Sequence, residues 1–158
     1  MTTYIAVVGA GEPNRDTDHA AEEVGRALAR VRAVVVCGGL GGVMEAACRG
    51  ARAEGGTTVG ILPGTTRDDA NPYLTVAVAT GLGEARNVLV VRAADALIAV
   101  GGEFGTLSEI AFALKAGTPV VGLGTWELSR GGEPVEAIAG APSPAAAVDL
   151  ALALAASR

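Results

Sequence analysis

Residues 96–109 read Ala96-Leu97-Ile98-Ala99-Val100-Gly101-Gly102-Glu103-Phe104-Gly105-Thr106-Leu107-Ser108-Glu109. An unbroken apolar run stops at a glycine pair, and a helix-period segment starts just beyond it. A strand without polar alternation is what a parallel sheet covered on both faces requires. The helix reading runs from Thr106 to Lys115, with Leu107, Ile110, Ala111 and Leu114 on one apolar side, and Gly117 then Pro119 end it. Thr106-x-x-Glu109 has the form of a capping box, worth about 1 kcal/mol to a helix. Glu109 has a ligand-facing reading beside that one. Glycines between strand and helix let backbone N–H groups approach an anion, and the helix dipole favours negative charge there. Gly101, Gly102, Gly105 and Thr106 are therefore ligand candidates. No lysine follows them, so the turn is not a P-loop.

The same strand–turn–helix unit recurs in both directions along the chain. Strands are expected at Tyr4–Val8, Ala33–Cys37, Thr58–Leu62, Thr75–Val78, Ala96–Val100 and Pro119–Leu123, with Val135–Ala139 a weaker seventh. Helices are expected from Asp18 to Arg32 (Ala21, Val24, Leu28, Val31 inward), Gly42 to Glu54 (Val43, Ala47, Ala51 inward), and Gly83 to Arg92. Pro144 to Ala156 alternates like a strand, but its alanine content and length favour helix. Strands alternating with helices imply βαβ units and right-handed crossovers. The expected fold is α/β, a Rossmann-like three-layer αβα sandwich on a mostly parallel six- or seven-stranded sheet. At 158 residues a single domain, 1–158, is expected. Ligands of such sheets lie beyond the carboxyl ends of the strands.

Two more turns fall at that end. The first strand leads into Gly9-Ala10-Gly11-Glu12-Pro13-Asn14, which begins like a dinucleotide fingerprint. Asn14 occupies the third glycine's place, however, and the second strand ends Val36-Cys37-Gly38 without an acidic residue for a ribose hydroxyl. Classical NAD or FAD binding is disfavoured, while Gly9 and Gly11 stay candidates for a tight turn beside a ligand. The second strand runs into Gly38-Gly39-Leu40-Gly41-Gly42-Val43-Met44, where four glycines in five positions exceed what a turn needs. Gly38, Gly39, Gly41, Gly42 and Met44 join the candidates; close helix–sheet packing is the competing explanation. Arg86, in Gly83-Glu84-Ala85-Arg86-Asn87, could clamp a phosphate through its forked guanidinium, with Asn87 beside it. The polar loop 63–73 has the length of a lid or specificity element. Asp68, Asp69 and Asn71 within it match no calcium-loop spacing.

Composition narrows the function classes. The chain has 12 basic and 17 acidic residues, a net charge of −5, and 23 glycines. Lys115 is its sole lysine, so it lacks the basic patch that counterion-driven nucleic-acid binding uses. A small phosphorylated ligand is the expected partner; no nucleic acid and no membrane are expected. Cys37 and Cys48 are read as buried free thiols, and with His19 the single histidine, no metal site is expected. No apolar stretch reaches membrane-spanning length and no signal-like leader opens the chain, so a cytoplasmic location is expected.

These motifs together resemble the LOG-like family, the Lonely Guy or so-called lysine decarboxylase-like Rossmann proteins. The likeness covers nearly the whole chain. It is strongest at residues 38–44, at the Arg86 segment, and at residues 101–109, where the family reads Pro-Gly-Gly-x-Gly-Thr-x-x-Glu and Val100 replaces the proline. Gly60-Ile61-Leu62-Pro63-Gly64, Asn71-Pro72-Tyr73 and residues 80–87 resemble the branch that includes molybdenum-cofactor carrier proteins. In the hydrolases, the resemblance makes Arg86 and Glu109 the catalytic pair that cleaves a nucleoside 5′-monophosphate (AMP-like) into base and ribose 5-phosphate. In the carrier branch, the same pocket holds a pterin phosphate without hydrolysis, and a nucleotide sensor is a further alternative. The family's usual Arg-Lys pair reads Arg86-Asn87 here, which, with Val100, points to the carrier side. The resemblance implies no bound cofactor and a homodimer or homotetramer. Lysine decarboxylation is excluded, because it uses pyridoxal phosphate on a lysine and Lys115 lies late in a helix.

Overall fold

The computed structural model describes residues 1–157. Its strands are β1 (Tyr4–Gly9), β2 (Val34–Cys37), β3 (Thr58–Leu62), β4 (Val76–Ala79), β5 (Ala96–Val100), β6 (Val120–Leu123), β7 (Leu128–Arg130), β8 (Glu133–Val135) and β9 (Ala139–Gly140). Its helices are α1 (Arg15–Arg30), α2 (Val43–Ala53), α3 (Asn87–Arg92), α4 (Phe104–Ala116) and α5 (Pro144–Ala156). A 3-10 turn, Gly83–Arg86, leads into α3.

Seven strands form one sheet in the order β4-β3-β2-β1-β5-β6-β9, every neighbouring pair parallel. The α/β Rossmann-like expectation holds. The order reverses between β1 and β5, whose register pairs Ile5 with Ala96 and Gly9 with Val100. That reversal opens a crevice above the carboxyl ends of the two strands. The expected seventh strand at Val135–Ala139 divides instead. Ala139–Gly140 joins the sheet beside β6, while Val135 belongs to a small antiparallel hairpin, β7–β8.

Two apolar layers hold the sheet. On one face Ile5, Val7, Val35, Ile98 and Val100 pack against α1, α2 and α5. On the other, Ala6, Val8, Val36, Leu97 and Ala99 pack against residues of α3 and α4 such as Val90 and Ile110. Side chains alternate faces along a strand, so runs such as Ile5-Ala6-Val7-Val8 feed both layers at once. Helices α1 and α2 approach backbone to backbone. A Cβ on Gly25 would stand 2.0 Å from the Ala47 carbonyl oxygen, and one on Gly50 would stand 2.0 Å from that of Glu22.

Helix boundaries and faces correct several expectations. Asn14 caps α1, accepting from the backbone N–H of Asp16 (3.1 Å) and Thr17 (3.3 Å), so the helix begins at Arg15 rather than Asp18. Val31, expected inward, is the C-cap and is exposed. Helix α4 begins at Phe104, two residues before the expected start, with Glu103 as its N-cap. Thr106 therefore stands inside the first turn and caps nothing, and the capping-box reading fails. The buried side of α4 is Thr106, Glu109, Ile110 and Ala113, while Ala111 is exposed. Helix α5 resolves its ambiguity by period, since Ala147, Val148 and Ala151 are buried and Ser143 caps its start.

Candidate functional site

The helix starts at the crevice differ in one chemical respect. The start of α1 is closed, with Asn14 on its free N–H groups and Asp16 and Asp18 in its first turn. The starts of α2 and α4 have no side-chain cap. At α2, Val43 N–H is taken by the Ala10 carbonyl at 3.0 Å, and Glu45 adds a negative charge to the first turn. At α4 the first turn carries no acid. Its N–H groups and positive dipole end make it the start best fitted to an anion.

Arg86 ends the 3-10 turn and reaches back over β2. It is 7% exposed. One terminal nitrogen donates to the Asn87 side-chain oxygen, and the other donates to the Gly38 carbonyl at 3.3 Å. The Nε has no partner although it is buried. A guanidinium nitrogen so placed is costly unless it meets an acceptor, because desolvation is then uncompensated. Burial lowers the Arg86 pKa from its usual value, and the Glu109 charge acts in the opposite direction. Gly38 makes room for this arrangement. A Cβ there would lie 2.6 Å from an Arg86 terminal nitrogen and 2.8 Å from the Met44 sulfur.

Glu109 is also 7% exposed. It sits on the inward side of α4 because Thr106, Ile110 and Ala113 share that side. Burial raises its pKa from 4.5 to about 7, with Arg86 pulling the other way. Burial thus favours the neutral carboxyl, and the Arg86 charge favours the carboxylate.

A cleft of about 660 Å³ brings most of the sequence-derived residues together. Gly9 and Gly11 from the first turn line it, as do Met44 from α2 and Arg86 with Asn87 from the α3 start. Gly105, Thr106 and Glu109 line it from α4, and Glu12 and Glu103 add two carboxylates at its border. The other candidates stand outside its lining. Gly38 acts on the cleft through Arg86. Gly39 packs against Leu62, and Gly42 against the Ala10 carbonyl, where a Cβ would come within 2.2 Å. Gly41 lies near the Gly11 carbonyl. Gly101 and Gly102 take positive φ values of 54° and 108° in the turn into α4. Packing thus accounts for much of the glycine surplus at residues 38–42.

The loop at 63–73 is tied to the neighbouring glycine turn. Asn71 donates its backbone N–H to the Gly39 carbonyl (2.9 Å) and its Nδ2 to the Leu40 carbonyl (3.0 Å). Among the described residues, no three His, Cys, Asp or Glu side chains gather where they could hold a metal. Cys37 and Cys48 are buried and unlinked, their sulfurs 3.5 Å apart. No helix of the described residues is long and apolar enough to cross a membrane. A feature the motifs did not single out is the aromatic pair Phe104 and Trp126, in tilted contact with ring centroids 5.5 Å apart. Its signal in the sequence was rarity, since the chain has one tryptophan.

Known proteins share this architecture. A protein from Archaeoglobus fulgidus without assigned function is 49% identical over 119 residues, covering 75% of this chain and 78% of its own. The molybdenum cofactor binding protein from the phototrophic bacterium Rippkaea orientalis superposes with a TM-score of 0.88 at 32% identity, covering 98% of both chains. The Moco carrier protein from Chlamydomonas reinhardtii superposes with a TM-score of 0.87 at 33% identity, covering 100% of both. The likeness thus runs to the carrier side of the expected resemblance, and membership of the hydrolase family does not follow from it. The model of the SLOG cluster4 family matches residues 2–148, and the chain belongs to that family.

Proposed function

We propose that this protein binds a phosphorylated pterin, holding it as a carrier holds molybdenum cofactor, without cleaving it. The observation that carries this reading is Arg86, whose buried Nε has no partner, lining the same cleft as the uncapped start of α4. A phosphate fits both. Its oxygens accept from the free N–H groups of Gly105 and Thr106 and from the guanidinium. The similarity to a cofactor-binding and a carrier protein supports a pterin as the rest of the ligand. The metal would arrive with the ligand as cargo. Self-association is part of the same proposal, supported by the apolar residues Val76, Val78 and Phe112 left exposed on the sheet edge and α4.

Isothermal titration with a metal-free pterin monophosphate tests it. Saturable binding that Arg86→Ala abolishes supports the reading, and absence of binding sinks it. A second reading, hydrolysis of a nucleoside 5′-monophosphate, draws on Glu109 standing within the cleft with a pKa near 7. There, water would add to the sugar C1′ as the N-glycosidic bond breaks. The carboxylate would take the water's proton and stabilise the cationic sugar, while the base leaves with the bond's electrons. Release of adenine from AMP, lost in Glu109→Gln, would select that reading over the carrier.

A further inference from the structure

The chain contains two phenylalanines, two tyrosines and one tryptophan. Phe104 and Trp126 are in contact, and Phe104 is left 76% exposed. The arrangement is held in place. Trp126 Nε1 donates to the Glu103 carbonyl at 3.3 Å, the same carbonyl that accepts the Leu107 N–H in the first turn of α4. Thr125, one residue before Trp126, donates its hydroxyl to the Gly101 carbonyl. The segment after β6 thus clamps the turn that presents Phe104. Phe104 is also the first residue of α4, between Glu103 and Gly105, which both line the cleft. A second cleft of about 1060 Å³ lies on the Trp126 side, beneath the β7–β8 hairpin. Trp126 lines this second cleft, while Phe104 lines neither and stands exposed next to Glu103 and Gly105 of the first.

We infer that Phe104, backed by Trp126, is the stacking surface for the planar ring of the ligand whose phosphate binds at Arg86. The inference rests on that phosphate reading and adds a determinant to it. Phe104 directly precedes the Gly105 and Thr106 amides, so its exposed ring is within reach of the rest of a molecule whose phosphate they hold. One side of Phe104 packs on Trp126 at an interplanar angle of 39°, and most of the rest of its surface is open. Stacking accepts any flat π-system, so Phe104 separates ring-bearing phosphates from bare ones rather than pterin from purine. Trp126 is a positioning residue. It fixes Phe104, and its indole reports on that contact.

The single tryptophan makes the test direct. The full-length protein is titrated with ribose 5-phosphate, AMP and a pterin monophosphate, following heat of binding and indole fluorescence. The expected result is fluorescence change with the two ring-bearing ligands only. Phe104→Ala should weaken those ligands about tenfold, within the range known for aromatic–base stacking, and leave ribose 5-phosphate unchanged. Phe104→Tyr should restore ring affinity, and Trp126→Phe should weaken ring binding less than Phe104→Ala. Equal loss for all three ligands, or loss for none, overturns the inference. So does a Phe104→Ala variant that dissociates an oligomer while keeping ring affinity, which would make Phe104 a subunit contact. If AMP binds in a Phe104-dependent way and the pterin does not bind, the carrier reading falls and the stacking surface stands. If no ligand binds, both fall.

Discussion

Glu109 links the stability of the fold to pH through its burial. Its folded-state pKa is raised to about 7 by burial, so the protonated form favours the fold. That stabilisation is complete below pH 4.5 and is lost as the pH rises through 7, an effect on the order of 3 kcal/mol. Urea unfolding of Glu109→Gln should show this slope removed between pH 5 and pH 8. A phosphate beside the carboxylate disfavours its ionisation further. Phosphate affinity should therefore fall as the pH climbs through 7 in the native protein and stay flatter in Glu109→Gln, as calorimetry at several pH values would show. Gly38 offers a second check. Alanine there collides with the Arg86 terminal nitrogen and the Met44 sulfur, both ends of flexible side chains. Gly38→Ala should cost at least tenfold in phosphate affinity with only a small drop in melting temperature.

The α1–α2 pair shows how glycine can be a packing device away from any ligand. Gly25 and Gly50 each face a carbonyl of the opposite helix, with no room for a methyl. The pair is bordered by Glu22, which accepts from Arg26 (2.8 Å) and Arg49 (2.9 Å) and so ties the two helices together. Gly25→Ala must push α1 away from backbone atoms that cannot yield. Although alanine suits a helix better by about 1 kcal/mol, a net loss of about 2 kcal/mol is expected from overpacking. Chemical denaturation measures it, and an unchanged midpoint would contradict the contact. Helix α4 teaches the opposite lesson about reading faces. Counting apolar residues put Leu107, Ile110, Ala111 and Leu114 inward; Ile110 is buried and Leu114 packs on the core, but Ala111 is exposed and Thr106 and Glu109 turn inward instead. An apolar count blurs the face of a helix that is apolar nearly all round and carries polar groups inside.

Across the molecule, the crevice at the reversal of strand order collects residues more than 90 positions apart in sequence, Gly9 to Glu109, around one cleft. A ligand seated there stabilises the whole fold by mass action. At 100 times its Kd, a bound pterin phosphate should add about 2.7 kcal/mol, which for a chain of this length means a rise of roughly 5–10 °C in melting temperature. Arg86→Ala should abolish the rise in a thermal-shift assay. The exposed Val76 and Val78 on β4 lead to a further expectation: Val78→Lys should lower the mass seen by light scattering if that edge carries the self-association proposed above.

Periodicity and turn chemistry along the chain were enough to determine the alternation of strands and helices, the parallel sheet and the glycine turns at its carboxyl end. Those signals are local: buried parallel strands leave unbroken apolar runs, and helices leave a 3.6-residue period. The motif at 101–109 and Arg86 could likewise be read from a family likeness, without coordinates. Which glycines line the cleft and which only let backbones touch was decided by tertiary contact, as Gly11 and Gly42 show. So were the inward turn of Glu109, the orphaned Nε of Arg86 and the meeting of Phe104 with Trp126. Desolvation and close approach depend on atoms from distant segments, and no local pattern in the chain encodes those distances.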